Sequence, residues 1–462
     1  MSNKKGFKLL AFIIAGAMLF AACTPMQDQE KPKTDESQEE PKTDENQEKP
    51  KTETPDIEDK NKEKTDENKP DIGDGEFTPE ASEALVKPDE IKGEDDPYPY
   101  ELTKAINEFS SKSVSKLLKD SEENEIYSPI SLYYALSMIR EMTDGETLEK
   151  INEFLNVKDF DLADSLKKFT RTEKMNDGLF VNNSYWIDNK YKENANPEYL
   201  NLLKEKFYAY AFATDFTSDG AYSDIDNWAL KTTNNMIEYD SKEMFGGDDV
   251  VSVLLNAVYF ESKWQEKFEE ENNFKEKFHN LDGSESETEF MTQIQDKGIF
   301  FKGDEYDSAL MRMENGSVYF ILPKGETTPK KLLEDENFIS DYLKIEFIAG
   351  KLTINLPKLE VESGFKNLME DLELTDILGA NADYSKAFKN DEQAFSIGKV
   401  LQKAKVIMNE EGAKAAAVSG GVGVTSAPDS EEELVLNLDR PFIYLITSDR
   451  GDVLFAGVIN KM

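Results

Sequence analysis

Two kinds of pattern divide the chain. From about residue 97 onward apolar residues recur at structural periods, whereas ahead of it they are sparse apart from one run near the start. Leu102, Ile106, Phe109, Val114, Leu117 and Leu118 fall near a 3.6-residue period and predict an amphipathic helix. Ser128-Pro129 then supplies a capping residue and a proline suited to a first helical turn, so a second helix is expected across Ile130–Ile139. Strands are expected at Val250–Phe260, Ser317–Leu322, Lys351–Leu356, Leu434–Leu438, Phe442–Thr447 and Val453–Ile459. Helices and strands interleave irregularly, which disfavours doubly wound and barrel architectures and points to one mixed α+β domain.

One stretch fits two patterns. Residues 410–428 would make a helical turn over Glu410–Val418, broken by Gly420–Gly423. At period two, however, Ala413, Ala415, Ala417, Ser419, Gly421, Gly423 and Thr425 are all small and would share one face of a strand. Such a strand could slide between two existing ones, because bulky groups on that face would each cost roughly 1–3 kcal/mol in overpacking. Periodicity alone leaves both readings open.

Composition narrows the chemistry. The chain has 462 residues, 38% hydrophobic, with 28 Phe and 18 Tyr, enough for a large core. Ninety-four acidic against 54 basic residues give a net charge of -40, which argues against a nucleic-acid partner and against polyanionic effectors. A single Cys (Cys23) and a single His (His279) exclude an internal disulfide, Cys-rich zinc or iron–sulfur sites and multi-His metal sites. Neither a metal nor a cofactor is expected. No glycine-rich nucleotide loop and no Gly-x-Ser-x-Gly elbow is present. A hydrolase would have to rely on His279, which stands in a polar, turn-like stretch.

The first 23 residues carry Lys4, Lys5 and Lys8, an apolar run from Leu9 to Phe20, and Ala21-Ala22-Cys23. This is the layout of an export signal, too short for an ordinary membrane span. Cys23 directly after two alanines resembles a bacterial lipobox, although Phe20 stands where an aliphatic residue is usual. A diacylglycerol on Cys23 would anchor the protein to a membrane. Residues 24–97 hold about 26 acidic and 11 basic side chains, and a Lys-Thr-Asp-Glu unit recurs at Lys33, Lys42 and Lys64. Little apolar surface and high net charge predict a disordered tether. The expected organisation is 1–23 export signal, 24–97 acidic linker and 98–462 folded domain.

Several blocks in that domain resemble the serpin family of protease inhibitors. Leu436-Asn437-Leu438-Asp439-Arg440-Pro441-Phe442-Ile443-Tyr444-Leu445-Ile446 matches the family signature, and Ser128-Pro129-Ile130-Ser131-Leu132 its shutter helix. Asn256-Ala257-Val258-Tyr259-Phe260 with Trp264 and Phe268 resembles the strand that leads to the breach. The ending Leu454-Phe455-Ala456-Gly457-Val458-Ile459-Asn460 is similar as well. The resemblance implies a serpin-like fold of three β-sheets, eight or nine helices and an exposed reactive loop. It also implies suicide inhibition, in which a protease cuts the loop and is trapped as an acyl-enzyme while the loop inserts into the large sheet. No catalytic residue is then needed.

By the same resemblance the loop hinge comprises Glu410, Gly412, Ala413, Ala415, Ala416, Ala417 and Ser419, with Lys414 where an acidic residue is usual. Family spacing puts the reactive bond at Ser426–Ala427, while counting back from Pro441 places it near Ser430. Small uncharged residues there favour an elastase-like or subtilisin-like serine protease, with cysteine proteases also open. The shutter and breach set is Ser128, Ser131, Asp226, Trp264 and Gln402, where Asp226 and Gln402 replace a customary Asn–His pair. Glu261-Ser262 replaces a usual Lys-Gly and is expected to face solvent. The export signal and the lipobox-like Cys23 imply an extracytoplasmic protein, lipid-anchored at a bacterial cell surface or secreted, and a monomer is expected. The alternative is a non-inhibitory serpin-fold surface lipoprotein that binds rather than inhibits.

Overall fold

The computed structural model describes residues 77–94, 96–176, 179–246, 250–365, 367–377, 382–389, 397, 399–413 and 429–462. Six helices of ten residues or more are α1 (Tyr100–Leu118), α2 (Pro129–Met142), α3 (Gly145–Phe154), α4 (Leu162–Asn176), α5 (Pro197–Lys206) and α6 (Asp219–Thr232). α2 begins where the sequence predicts: the Ser131 amide donates to Ser128 Oγ, and Pro129 occupies the first turn, where its missing N–H costs nothing. Four shorter helices of four or five residues raise the described α-helices above the eight or nine expected.

The larger parallel and antiparallel sheet runs β1 (Glu83–Val86), β4 (Ala209–Thr214), β3 (Leu179–Asp188), β5 (Ser252–Phe260) and β13 (Lys399–Met408), with β12 (Leu359–Phe365) beyond. At one end β14 (Gly412–Ala413) and β6 (Ser262–Lys263) complete it. A nine-stranded network runs β15 (Asp429–Asn437), β11 (Ile348–Pro357), β8 (Glu285–Lys302), β9 (Tyr306–Arg312), β10 (Ser317–Pro323), β16 (Phe442–Thr447), β17 (Val453–Ile459) and β2 (Glu125–Tyr127), with β7 (Phe274–His279) on β8. The 18-residue β8 is shared: its start pairs with β7, its middle with β11 and its end with β9. Dividing the network at β8 gives two sheets, hence three in all, as expected.

The main core lies between these sheets and α1 and α2, and includes Leu102, Ile106, Tyr133, Phe320, Phe442 and Tyr444. A second cluster, with Trp186, Phe212, Trp228 and Leu255, fills the space between α6 and the opposite face of the large sheet. Even-numbered residues of β5 such as Leu254 and Val258 face the first cluster, and Val253, Leu255 and Ala257 face the second.

The linker boundary expected at 97 is placed too late. Residues 83–86 add an edge strand to β4, and Phe77 is buried against Phe212. An edge strand is held by backbone pairing, so a charged segment with few apolar side chains can still join a fold.

Candidate functional site

The large sheet is half open. β5 is paired with β3 along its whole length, from Leu179↔Phe260 to Ile187↔Ser252. On its other edge it meets β13 in parallel at only three positions, Val253↔Lys399, Leu254↔Val400 and Leu255↔Leu401. Among the described residues no pairing joins Asn256–Phe260 to Gln402–Ile407, while β13 stays paired with β12 from Phe365↔Gln402 to Leu359↔Met408. Two neighbouring strands thus part into a seam.

Gly412 and Ala413 enter the end of that seam beside β6. Gly412 and Ala413 form β14, with Ala413 opposite both Met408 of β13 and Ser262 of β6, antiparallel to each. Gly412 adopts φ +152°, and a Cβ there would sit 2.3 Å from the Ser262 carbonyl oxygen, so only glycine allows this approach. The strand is held from one side by Trp264, whose amide donates to Glu411 O at 3.0 Å and whose indole Nε1 donates to Asn409 O at 2.8 Å. Trp264 is buried and packs edge-on against Phe268, whose own amide donates to Glu410 O.

Glu410, two residues before β14, is itself held by two partners. Its buried carboxylate lies 2.8 Å from Lys358 Nζ and accepts a 2.5 Å hydrogen bond from Asn273 Nδ2. Burial alone would push its pKa up; Lys358 and Asn273 outweigh that and hold it below the usual carboxylate range.

Beneath the seam a polar chain crosses from β13 to β3. Gln402 accepts from the Ser128 amide through Oε1 at 2.9 Å and donates Nε2 to the Ser128 carbonyl at 2.7 Å. Ser128 Oγ donates to Leu454 O, and Ser131 Oγ to Asn256 O at 3.5 Å. Asn256 Nδ2 donates to Asn183 Oδ1, and Asn183 Nδ2 to Phe207 O. All five side chains are buried, and Asn256 Oδ1 alone among their polar atoms has no partner.

Ser128, Ser131 and Gln402 lie along the polar chain beneath the seam, Trp264, Glu410 and Gly412 lie at its mouth, and Asp226 joins neither group. It lies on α6, where its carboxylate accepts from the Ser241 amide at 3.1 Å, and burial pushes its pKa up against that bond. Spacing cannot reveal which helix face meets the sheet. The residues missed were Asn256 and Asn183, and the available signal was a polar side chain inside an otherwise apolar strand. Glu261 and Ser262 are also less exposed than expected: Ser262 is buried and accepts from the Asn315 amide, and Glu261 accepts from the Tyr259 hydroxyl. His279 projects from the exposed strand β7 with its Nδ1 3.4 Å from Glu285. Cys23, Ala415, Ala416, Ala417, Ser419, Ser426 and Ala427 lie outside the described residues.

Among the described residues no group of three or more His, Cys, Asp or Glu side chains is arranged to hold a metal ion, and no helix is long and apolar enough to cross a membrane.

Comparison with known proteins agrees with this geometry. The family model described as "Serpin (serine protease inhibitor)" matches residues 104–462. Iripin-5 of Ixodes ricinus is 30% identical over 79% of this chain and 96% of its own length. Iripin-2 of the same organism is 28% identical, covering 78% and 94%, and Homo sapiens neuroserpin is 27% identical, covering 76% and 90%. Among solved structures, the native state of the thermophilic serpin tengpin superimposes with a TM-score of 0.68 at 24% identity, covering 83% of this chain and all of that one. Native Arabidopsis AtSerpin1 gives 0.66 at 23%, covering 79% and 99%.

Proposed function

The chain belongs to the serpin family, and on that premise we propose that it is a suicide inhibitor of serine endopeptidases, cut in its loop and completed by the large sheet. The observation that carries the reading is the seam with β14 already in its mouth. Continuing β14 residue by residue, the partners on both sides stay in step. Position 415 meets Phe260 and Val406, 417 meets Val258 and Ala404, and 419 meets Asn256 and Gln402. Position 420 then reaches Leu255 and Leu401, which are already each other's partners. The agreement of the two extended registers, one from each edge, supports a single inserted strand.

Residues 414–419 can enter without breaking an existing pair, and the three pairs at Val253–Leu255 must part for deeper entry. The positions that would face the main core are Ala413, Ala415, Ala417 and Ser419, all small, so the seam closes without overpacking. Ser419 would arrive beside the unpaired Asn256 oxygen. Each backbone bond formed contributes a net ~0.5–1.5 kcal/mol, so a strand bonded on both edges supplies a large driving force. A protease still esterified to the loop would be carried along and distorted before water could release it.

Ser426–Ala427 is the proposed reactive bond, since the hinge sets how much strand must enter. Its small side chains suit an elastase-like or subtilisin-like pocket better than one built for Arg or Lys. We further propose that Cys23 carries a lipid and that the acidic segment holds a monomeric inhibitor away from a bacterial cell surface. The deciding experiment incubates the protein with an elastase-like, a subtilisin-like and a papain-like protease, followed by a denaturing gel. A gel-stable adduct with one of the serine enzymes, plus a higher melting temperature for the loop-cleaved protein, is expected. Cleavage without adduct or stabilisation by every protease tried overturns the proposal.

A further inference from the structure

Ile294 and Val435 stand out in solvent, 64% and 61% exposed. Backbone register places them in one row: Thr353 of β11 is opposite Ile294 of β8 on one side and Val435 of β15 on the other. With strands ~4.8 Å apart, the row spans about 10 Å. The Lys351–Glu433 ion pair at 3.5 Å borders it at one end of the strands, and Asn355 Nδ2, donating to Asn437 Oδ1 at 2.5 Å, borders it at the other. The alternate residues Leu352, Ile354, Leu434 and Leu436 are buried in the main core, so the outer face is held rigid from beneath. Scattered apolar side chains on a surface are ordinary, whereas neighbouring ones rimmed by polar pairs mark a contact site.

The row lies between the two points where residues 414–428 join the sheets. One point is Ala413, paired with β6, and β6 stands beside the end of β9: the Gln265 amide donates to Arg312 O and the Glu314 amide to Lys263 O. The other is Asp429, the first residue of β15 and two positions beyond Ala427. Between β9 and β15 run β8 and β11, which carry the rest of the row. β15 bulges here, since Asp429 and Glu433 oppose Ala349 and Lys351, and Gly350 allows it: a Cβ there would lie 2.4 Å from Glu432 O. Within the bulge Glu431 is exposed and makes no ion pair among the described residues. Val435 is at most ~30 Å of extended chain from Ala427. A globular protease of ~200 residues has a radius of gyration of about 16 Å, so one seated at 426–427 overhangs the row. The loop itself offers such an enzyme little to select on, because Thr425, Ser426 and Ala427 are small and uncharged.

We infer that the row Ile294–Thr353–Val435, with Glu431 at its margin, is a second docking surface for the target protease. It selects an enzyme that carries an exposed apolar side chain beside its cleft and a Lys or Arg next to that side chain. The inference rests on the inhibitory reading above and extends it from the bond that is cut to the enzyme that is chosen. Apolar contact supplies affinity as water leaves both faces, and Glu431 steers the cationic rim during approach. The row belongs to a different sheet from the one that receives the loop, so it acts before cleavage and leaves the later contest between insertion and deacylation untouched.

The test uses the full chain and whichever of the elastase-like and subtilisin-like enzymes cuts the loop faster, prepared both active and with its catalytic serine replaced by alanine. Ile294→Thr combined with Val435→Thr removes apolar surface but keeps β-branched side chains that suit a strand. Leu281→Thr, at another exposed apolar residue in the turn between β7 and β8, is the control. The paired substitution should weaken binding of the inactive enzyme about tenfold and slow association with the active one by the same factor. Glu431→Gln should slow association about threefold and flatten its salt dependence, and Leu281→Thr should change nothing. In all of them the melting temperature and the ratio of adduct to cut inhibitor should match wild type. Binding of the inactive enzyme within about twofold of wild type by the paired variant overturns the docking surface. A lower adduct ratio with unchanged binding also overturns it, because the defect then lies in insertion. The inactive enzyme cuts nothing, so its binding reads docking even where the active enzyme leaves only cut wild type; that last result sinks the trapping reading alone.

Discussion

Glutamate placed at two adjacent loop positions gives opposite outcomes if the inserted register is right. Position 417 would lie between Val258 and Ala404, which are 4% and 1% exposed and belong to the main core. A carboxylate delivered there has no cation within the cluster, and the effective penalty for burying an unpaired ion is several kcal/mol. Taking about 4 kcal/mol, and tenfold for every 1.4 kcal/mol, insertion slows by roughly a thousandfold. Deacylation then wins, and Ala417→Glu is cut as a plain substrate. Position 416 would lie between Tyr259 and Lys405 on the opposite face. Lys405 there already pairs with Glu360 at 2.9 Å on the outward side, so Ala416→Glu adds a partly solvated charge beside a cation, worth within about 1 kcal/mol. The assay is the denaturing gel, scored as adduct against cleaved inhibitor at equal protease. Ala416→Glu should keep near wild-type adduct yield and Ala417→Glu should lose it. The reverse pattern would mean a register wrong by one residue. Adducts from both would mean that the segment never enters the sheet.

Three other expectations follow from the seam and its surroundings. Gln402→Ala removes the acceptor of the buried Ser128 amide and one of two donors to its carbonyl, which keeps the Leu132 amide, so the intact protein should lose roughly 1–3 kcal/mol for the one orphaned group; denaturant unfolding within error of wild type refutes this. Glu410 is held below the usual carboxylate range, so its contribution is present above about pH 4.5 and disappears as pH falls through its lowered value. Glu410→Gln should therefore flatten the acid limb of the stability profile, and an unchanged limb contradicts the Lys358–Asn273 lock. Glu173 behaves oppositely. Burial first, then Asp452 and Asp449, push its pKa well up against the opposing pull of Arg450, and its Oε1 has no partner. The folded state then keeps a proton that the unfolded chain releases, so stability falls as pH rises above the ordinary glutamate range. Glu173→Gln should remove that decline; a pH profile identical to wild type sinks the assignment.

Much of this site was legible because its signals are local. The cap at Ser128-Pro129, the strands at Phe442–Thr447 and Val453–Ile459, and the two faces of residues 413–425 depend on neighbours one to four positions apart. The signature blocks added the family, and with it the expectation of a sheet able to receive a strand. What could not be read were partnerships across long separations. Asp226 and Gln402 looked like a pair, yet Asp226 turns toward Ser241 on α6, and the seam is crossed through Asn256 and Asn183.

The same limit explains the described segment ahead of α1. Residues 77–96 resemble the tether in composition, because three amides on Asp224 and one edge strand need almost no apolar sequence. Sequence by itself determined the alternation of small side chains, the capped helix and the class of fold, since periodicity and capping are properties of a few consecutive residues. Only the tertiary structure decided that β5 and β13 part after three pairs, that β14 enters between them in step with both, and that Glu410 meets Lys358. Those are matters of register and burial between segments up to 150 or more residues apart, where no local rule fixes which group will stand opposite which.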